Sequence, residues 1–446
     1  MTPAETQVDV IHVIFKTHLD VGFTDLARNV VAQYRDTYIP AACQAAQALR
    51  EAGRPERFIW TTGSWLVFEC LEEASPQERK ALEEAIWAGD ITWHGLPFTT
   101  HSELMDASLF KHGLSLSQAL DRRFGKQTIA AKMTDVPGHT RAMVPLLAEA
   151  GIQFLHIGIN EASTPPQVPP VFVWRDKDQA DVVVIVQHSY GDLLVVPGMA
   201  YALAFAHTYD NQGPQSMQGI LEVFQKLRAQ FPQAKIVASN LNAYAQELLK
   251  LKSQLPVVTA EIGDTWIHGA GTDPKKISQF REMCRLRSQW ISEKRAELDA
   301  KSWADFSGHL LMVPEHTWGL DEKTHLDDTL NYGPDQLAKA RQQATFKAFE
   351  SSWAEQRAYL HQAVEALGSS SLADEVRERL IEIAPVAPDR AGLARVPDLS
   401  TIFDTHHFVL RFDAASGAIC QLTDKRTGRQ LASEDCPLGL FRYQTF

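Results

Sequence analysis

Residues Val8 to Phe15 (VDVIHVIF) form a nearly unbroken apolar, β-branched run, as expected of a strand covered on both faces. From Thr24 to Glu51 the pattern becomes helical, with Pro40 as an expected kink or break. The alternation then repeats: strand at Arg57–Thr61, helix at Pro76–Ala88, strand at Asp90–Trp93, helix at Glu103–Arg122, strand at Ile129–Met133, helix at Thr140–Ala150. Further strands are predicted at Phe154–Ile157, Val182–Val186 and Ile236–Ala238, and helices at Ser216–Gln230 and Asn240–Leu251. Strand and helix in turn imply a parallel sheet with helical crossovers, either open or closed into a barrel. In such sheets the working residues lie on the loops after the carboxyl ends of the strands.

The pattern changes after about Pro274. Lys275–Lys301, Tyr332–Leu367 and Ser371–Ile383 are charged, helix-forming stretches that read as a helical bundle. A Pro- and Gly-bearing loop (Ala384–Leu399) follows, then a hairpin: Phe408–Phe412, a turn at Ala415–Gly417, and Ile419–Thr423. The expected organisation is an α/β barrel-like catalytic domain over 1–265, a helical bundle over 266–385, and the start of a β-rich domain over 386–446, which reads as cut short.

Composition narrows the function. The chain has 446 residues, 45% hydrophobic, so several domains are expected rather than one compact core. Its formal net charge of −12 argues against nucleic acid or an anionic membrane surface as partner. The five cysteines (Cys43, Cys70, Cys284, Cys420, Cys436) are scattered and make no CxxC pair, as in a reduced protein without a cysteine-ligated metal. The N-terminus lacks a signal-peptide pattern, and the longest apolar stretch, Leu193–Ala206, is interrupted by Pro197 and Gly198. A soluble cytoplasmic protein is expected; the oligomeric state is not legible.

Five motifs fall at strand ends. Thr17-His18-Leu19-Asp20-Val21-Gly22-Phe23 sets an imidazole and a carboxylate two apart on an extended segment, able to bind one metal ion, with Gly22 leaving room for a ligand. Thr134-Asp135-Val136-Pro137-Gly138-His139-Thr140 points Asp135 from a strand end towards a central cavity. Pro314-Glu315-His316-Thr317-Trp318-Gly319 clusters polar and aromatic groups before a helix. His207-Thr208-Tyr209-Asp210-Asn211 and Trp93-His94-Gly95-Leu96-Pro97 each close an apolar run. In isolation each has an ordinary structural explanation, a turn-capping aspartate or a core tryptophan.

THLDVGF, TDVPGHT and PEHTWGLDEK together resemble the zinc-dependent α-mannosidases of glycoside hydrolase family 38, in divergent form. Motif order and domain succession agree with that family, and the RFDAASGAICQLTDKRTGRQL hairpin is similar to the start of its β domain. The resemblance implies His18, Asp20, Asp135 and His316 as ligands of Zn²⁺ or a similar divalent ion, with Asp135 also the nucleophile. It implies Asp210 as the acid/base, with Asp264 in EIGDTW as the substitute. Phe23 stands where the family has Trp, and Glu315 and Thr317 replace the His and Asp flanking the metal histidine.

The implied chemistry is retaining hydrolysis of an α-glycosidic bond through a glycosyl-enzyme on Asp135. Phe23, Trp93, Trp266 and Trp318 are candidate sugar platforms, and Asp264 a further substrate contact. Two alternatives remain open at this point: a metal-dependent deacetylase or amidohydrolase, in which the metal activates water, and a non-catalytic carbohydrate-binding homologue.

Overall fold

The computed structural model describes residues 7–262, 266, 273–295, 300–326, 333–396, 398–399 and 401–441. In chain order its first eleven strands are β1 (Val10–Thr17), β2 (Trp60–Gly63), β3 (Ile91–His94), β4 (Ala130–Asp135), β5 (Phe154–Ile159), β6 (Val171–Arg175), β7 (Asp181–His188), β8 (Leu194–Val195), β9 (Tyr201–Thr208), β10 (Lys235–Ala238) and β11 (Val257–Val258). They form two sheets, one ordered β3-β2-β1-β9-β8 with β10 also on β1, the other β11-β6-β7-β5-β4. The expected parallel α/β architecture is present, since β1 runs parallel to β2, β9 and β10, and β4, β5 and β7 run parallel to one another. The two sheets meet where the Gly95 N–H donates to the Ala130 carbonyl at 2.9 Å.

Several elements differ from the sequence pattern, among them the strands Tyr201–Thr208 and Val171–Arg175, the helix Ser64–Glu73 and the helix across Pro40. Residues Val171–Arg175 form a strand antiparallel to β7, hidden in the sequence behind the proline-rich segment before it. Ser64–Glu73 is a short helix whose apolar run Trp65–Phe68 masks its period, although Leu66, Val67, Cys70 and Leu71 form its buried face. The helix across Pro40 does not break. It runs from Ala27–Gln33 through a π-turn, Tyr34–Tyr38, into Ile39–Glu51. A π-turn shifts the hydrogen-bond ladder by one residue, which absorbs a proline that lacks a donor.

The helices Pro274–Ser292, Ala300–Leu311, Ala344–Ala366 and Ser371–Glu382 share one hydrophobic core with β1 and β2: Phe280, Trp290, Phe306, Leu360 and Leu372 join Phe15 and Trp60. Residues Met1–Ile383 accordingly make one compact unit and Ala384–Phe446 another. In the second unit, β12 (Phe403–Asp404), β13 (Phe408–Phe412), β14 (Ile419–Asp424) and β15 (Gln430–Ala432) form an antiparallel sheet. Its predicted hairpin turn is closed by Gly417 N–H donating to the Asp413 carbonyl, with Gly417 at φ 72°. No helix among the described residues is long and apolar enough to cross a membrane.

One packing detail makes the first unit sensitive to acid. Burial, and then the Arg287 charge beside it, pushes His112 down to about 4. The unfolded chain takes up this proton near 6.5, so stability falls as pH drops through the window between the two values, by about 3 kcal/mol in full. Urea unfolding at pH 7 and pH 4.5 is expected to show most of this loss in the wild type and a correspondingly smaller acid effect in His112→Leu.

Candidate metal centre and active site

Three distant segments converge because their backbones pair. The loop after β1 forms an isolated bridge between Phe23 and Leu320, with Phe23 N–H donating to the Gly319 carbonyl at 3.1 Å and Asp321 N–H to the Phe23 carbonyl at 2.9 Å. On its other side, the 315–316 segment pairs with 99–101: Thr100 bridges Glu315, and His101 N–H donates to the Pro314 carbonyl at 2.8 Å. These pairings carry His18 and Asp20 up to His316, while β4 delivers Asp135.

The result is one buried cluster. One ligand atom from each of His18, Asp20, Asp135 and His316 lies within 4.8 Å of all the others. Asp20 Oδ1 is 3.1 Å from His18 Nε2 and 3.0 Å from His316 Nε2; Asp135 Oδ2 is 3.9 and 3.5 Å from the same two nitrogens. The two Nε2 atoms are 3.2 Å apart. Ligands about 2.1 Å from a tetrahedral ion stand roughly 3.4 Å from one another, so the spacing fits a small divalent cation. The donor set of two imidazoles and two carboxylates suits zinc, and the second Asp20 oxygen is buried without a hydrogen bond.

Electrostatics point the same way. Burial alone would push Asp20 and Asp135 up, but the neighbouring His18 and His316 imidazoles more than offset it, leaving both carboxylates below their usual range. Burial would lower His316, yet Glu315, Asp135 and Asp20 drive it well above the ordinary histidine value. The pocket thus seeks positive charge, which a bound cation supplies in place of a proton.

Glu315 orients His316, the candidate metal-binding histidine. Its Oε1 sits 2.7 Å from His316 Nδ1, and its Oε2 accepts the Thr317 N–H at 3.0 Å. A proton held on Nδ1 leaves the Nε2 lone pair facing the cluster. Gly22 has a different role from the one its sequence position implied. At φ 131°, and with an added Cβ 3.0 Å from Thr317 Cγ2, it serves the loop's conformation and the approach of the Thr317 segment rather than space for a ligand.

Asp135 itself sits at φ 83°, in a three-residue turn closed by Val136 N–H to the Thr134 carbonyl at 3.1 Å. The turn aims Oδ2 at the cluster, while Oδ1 accepts from Asn160 Nδ2 at 2.7 Å. A cavity of about 310 Å³ opens beside it, lined also by Asp210, Phe23, Trp266 and Trp318. Burial first, and then the Asp20 charge, raises Asp210 above the usual carboxylate range. The Tyr190 hydroxyl donates to Asp210 Oδ1 at 3.0 Å, and its ring centroid lies 4.7 Å from that of His18.

Of the residues singled out in the sequence, Trp93 is not brought here. His94 takes the inward position of β3, so strand alternation turns Trp93 outward, where its Nε1 donates to Asp121 at 3.0 Å and its ring packs on Phe124. Asp264 lies outside the described residues.

The sequence reading passed over Asn211, Asn160, Tyr34 and Tyr190. Asn211 clamps the ligand loop: its Oδ1 accepts from Asp20 N–H at 3.0 Å, and its Nδ2 faces the carbonyls of Asp20 and Gly22, each at 3.1 Å. Tyr34 and Tyr38, presented by the π-turn, donate to Asn211 Oδ1 and to the Asn211 carbonyl at 3.2 and 2.9 Å. The available signal was Asn211's place directly after Asp210 at a strand end. Because both residues act through the ligands, Glu315→Gln and Asn211→Leu are each expected to weaken zinc affinity about 10- to 100-fold, measured by competition with a chromophoric chelator. Wild-type affinity in both variants would refute these roles.

The sequence matches the glycosyl hydrolases family 38 N-terminal domain over residues 9–311, and a domain of unknown function (DUF5054) over residues 270–446. No curated protein matches it. The fold is similar to that of an alpha-mannosidase from Enterococcus faecalis V583, at 11% identity and a TM-score of 0.56, over 95% of this chain and 61% of that one. A glycosyl hydrolase family 38 protein from Enterococcus faecalis aligns at 11% identity over 81% of this chain and 40% of that one, with a TM-score of 0.48. A GH57-type branching enzyme from Pyrococcus horikoshii aligns at 12% identity over 84% and 96%, with a TM-score of 0.46. The chain therefore spans about 61% of the length of the mannosidase. The family match covers roughly two thirds of the sequence, from β1 to the helix that precedes His316, and the chain belongs to glycoside hydrolase family 38.

Proposed function

We propose that the protein is a metal-dependent retaining glycoside hydrolase of the α-mannosidase kind. The observation that carries this reading is the division of labour on Asp135: one oxygen faces the His18–Asp20–His316 cluster, the other is held by Asn160, and Asp210, raised by burial, lines the same cavity. Retaining enzymes need two carboxyl groups about 5–5.5 Å apart, one ionised and one protonated. A carboxylate lowered by imidazoles and a carboxyl raised by burial, both lining one cavity, support that assignment of roles.

His18, Asp20, Asp135 and His316 would hold the ion, which when bound supplies Lewis acidity towards sugar hydroxyls. Asp135 attacks the anomeric carbon while Asp210 gives its proton to the leaving oxygen; Asp210 then takes a proton from the water that releases the sugar. Phe23, Trp266 and Trp318 offer apolar faces to a pyranose, and burial of the cluster excludes bulk water from the nucleophile. The alkaline limb of the pH profile belongs to Asp210, because activity disappears as its proton is lost.

Asp135→Asn is expected to lower turnover of an aryl α-mannoside by about 10⁴-fold or more, with the fold retained by circular dichroism. Chelation should abolish activity and zinc restore it, and proton NMR of the first-formed sugar should show the starting anomeric configuration. An inverted product, or full activity without metal, ends the reading. Asp210→Asn should cost about 10²–10⁴-fold on poor leaving groups and remove the alkaline limb.

A further inference from the structure

Below the catalytic cluster the interior is basic. Lys132 on β4 is 1% exposed. Its Nζ lies 2.5 Å from the Tyr190 carbonyl and 3.0 Å from His156 Nδ1, and 4.3 Å from the Phe205 ring centroid. The donors can be assigned. Burial and the Lys132 charge hold His156 neutral, so its Nδ1 accepts from Lys132 and its Nε2–H donates to Gln187 Oε1 at 2.9 Å. An ammonium or an amine has hydrogens enough for both acceptors. A lysine buried against a carbonyl and an imidazole is costly, and an apolar side chain of that length would fill the space at less expense.

What it holds is a strained turn. Ser189, Tyr190 and Gly191 lie in succession at φ 59°, 65° and 110°, and a left-handed non-glycine residue costs about 1–2 kcal/mol each. The turn is seated by shape as well as by the lysine. A Cβ on Gly158 would fall 2.3 Å from the Tyr190 carbonyl oxygen, and one on Gly191 would fall 2.7 Å from Phe205 and 2.8 Å from His156. So seated, the turn lays the Tyr190 ring on His18 and sends its hydroxyl to Asp210 Oδ1. With Oδ1 occupied as an acceptor, Oδ2 is left as the oxygen that carries the proton to the leaving group.

We infer that Lys132 is a positioning residue for the acid step: through the Tyr190 carbonyl it locks the Ser189–Gly191 turn, and so the direction in which Asp210 presents its proton. The lysine touches neither substrate nor cation and acts from beneath the site. His156 and Gln187 steer its Nζ from the far side. The inference rests on the proposed glycosidase function, but the tether itself has a consequence that needs no turnover.

Zinc-loaded Lys132→Met tests both levels. Hydrogen exchange by mass spectrometry should show lost protection over residues 189–194, with peptides covering His18–Phe23 and β5 unchanged. For catalysis, kcat on a methyl glycoside, whose leaving oxygen needs a proton, should fall about 10- to 100-fold, while kcat on the 2,4-dinitrophenyl glycoside changes less than about threefold and zinc content is unaltered. Tyr190→Phe should reproduce the leaving-group selectivity, and the double variant should be no worse than Tyr190→Phe alone. If Lys132→Met does not fold, Gln187→Met, at a half-exposed position, should give the same selectivity at a smaller size. Wild-type exchange in the turn overturns the tether. Equal losses on both glycosides, or additive losses in the double variant, overturn its link to the acid. A wild-type protein inactive on all glycosides defeats the glycosidase reading instead, and leaves the exchange result to judge the tether.

Discussion

Asp20 and Asp135, two carboxylates buried in one pocket, would repel and protonate if left to themselves, since burial alone raises both. His18 and His316 prevent this, and a divalent cation among the four would do so more completely. Much of the first unit can be understood as the means of bringing these charges together. Residues from the loop after β1, from β4 and from the segment after the Ala300–Leu311 helix meet through short runs of backbone pairing, not through a single element. Glu315 and Asn211 then fix the orientation of what has been gathered.

The backbone records the same demand as strain. Among the described residues seven non-glycine positions have positive φ, and five of them, Phe23, Asp135, Ser189, Tyr190 and Asn211, belong to the site or its supports. Such conformations persist only where surrounding contacts over-determine them. Here each has its restraint: the Leu320 bridge at Phe23, the turn and Asn160 at Asp135, Glu161 accepting from the Ser189 hydroxyl, Lys132 at Tyr190, and the two tyrosines of the π-turn at Asn211. The π-turn is part of the same economy, because a regular helix through Pro40 would present Tyr34 and Tyr38 at a different angle.

Much of the α/β pattern was legible because it rests on local periodicity. The Pro76–Ala88 helix coincides with its prediction, and the apolar run of β1 is buried along nearly its whole length. An unbroken apolar run, Trp65–Phe68, hid the helical period of Ser64–Glu73, and the antiparallel β6 could not be told from a loop. His18, Asp20, Asp135 and His316 could be named from motif wording at strand ends, since residue type and order are sequence properties. Trp93 could not be excluded that way, because one residue of register decides whether a strand side chain faces the cavity or the helices.

Residue chemistry was therefore determined by the sequence alone: which groups can ligate, attack or donate, and on which loops they lie. Only the tertiary structure decided their partners. Glu315 reads as a departure from a motif until its oxygen is found 2.7 Å from His316 Nδ1, and Lys132 reads as an odd polar group in a strand until its Nζ is found under the Tyr190 carbonyl. The physical reason is that hydrogen bonding and charge coupling act over about 3 Å of space, and residues 58 positions apart, like Lys132 and Tyr190, have no local pattern that announces the contact.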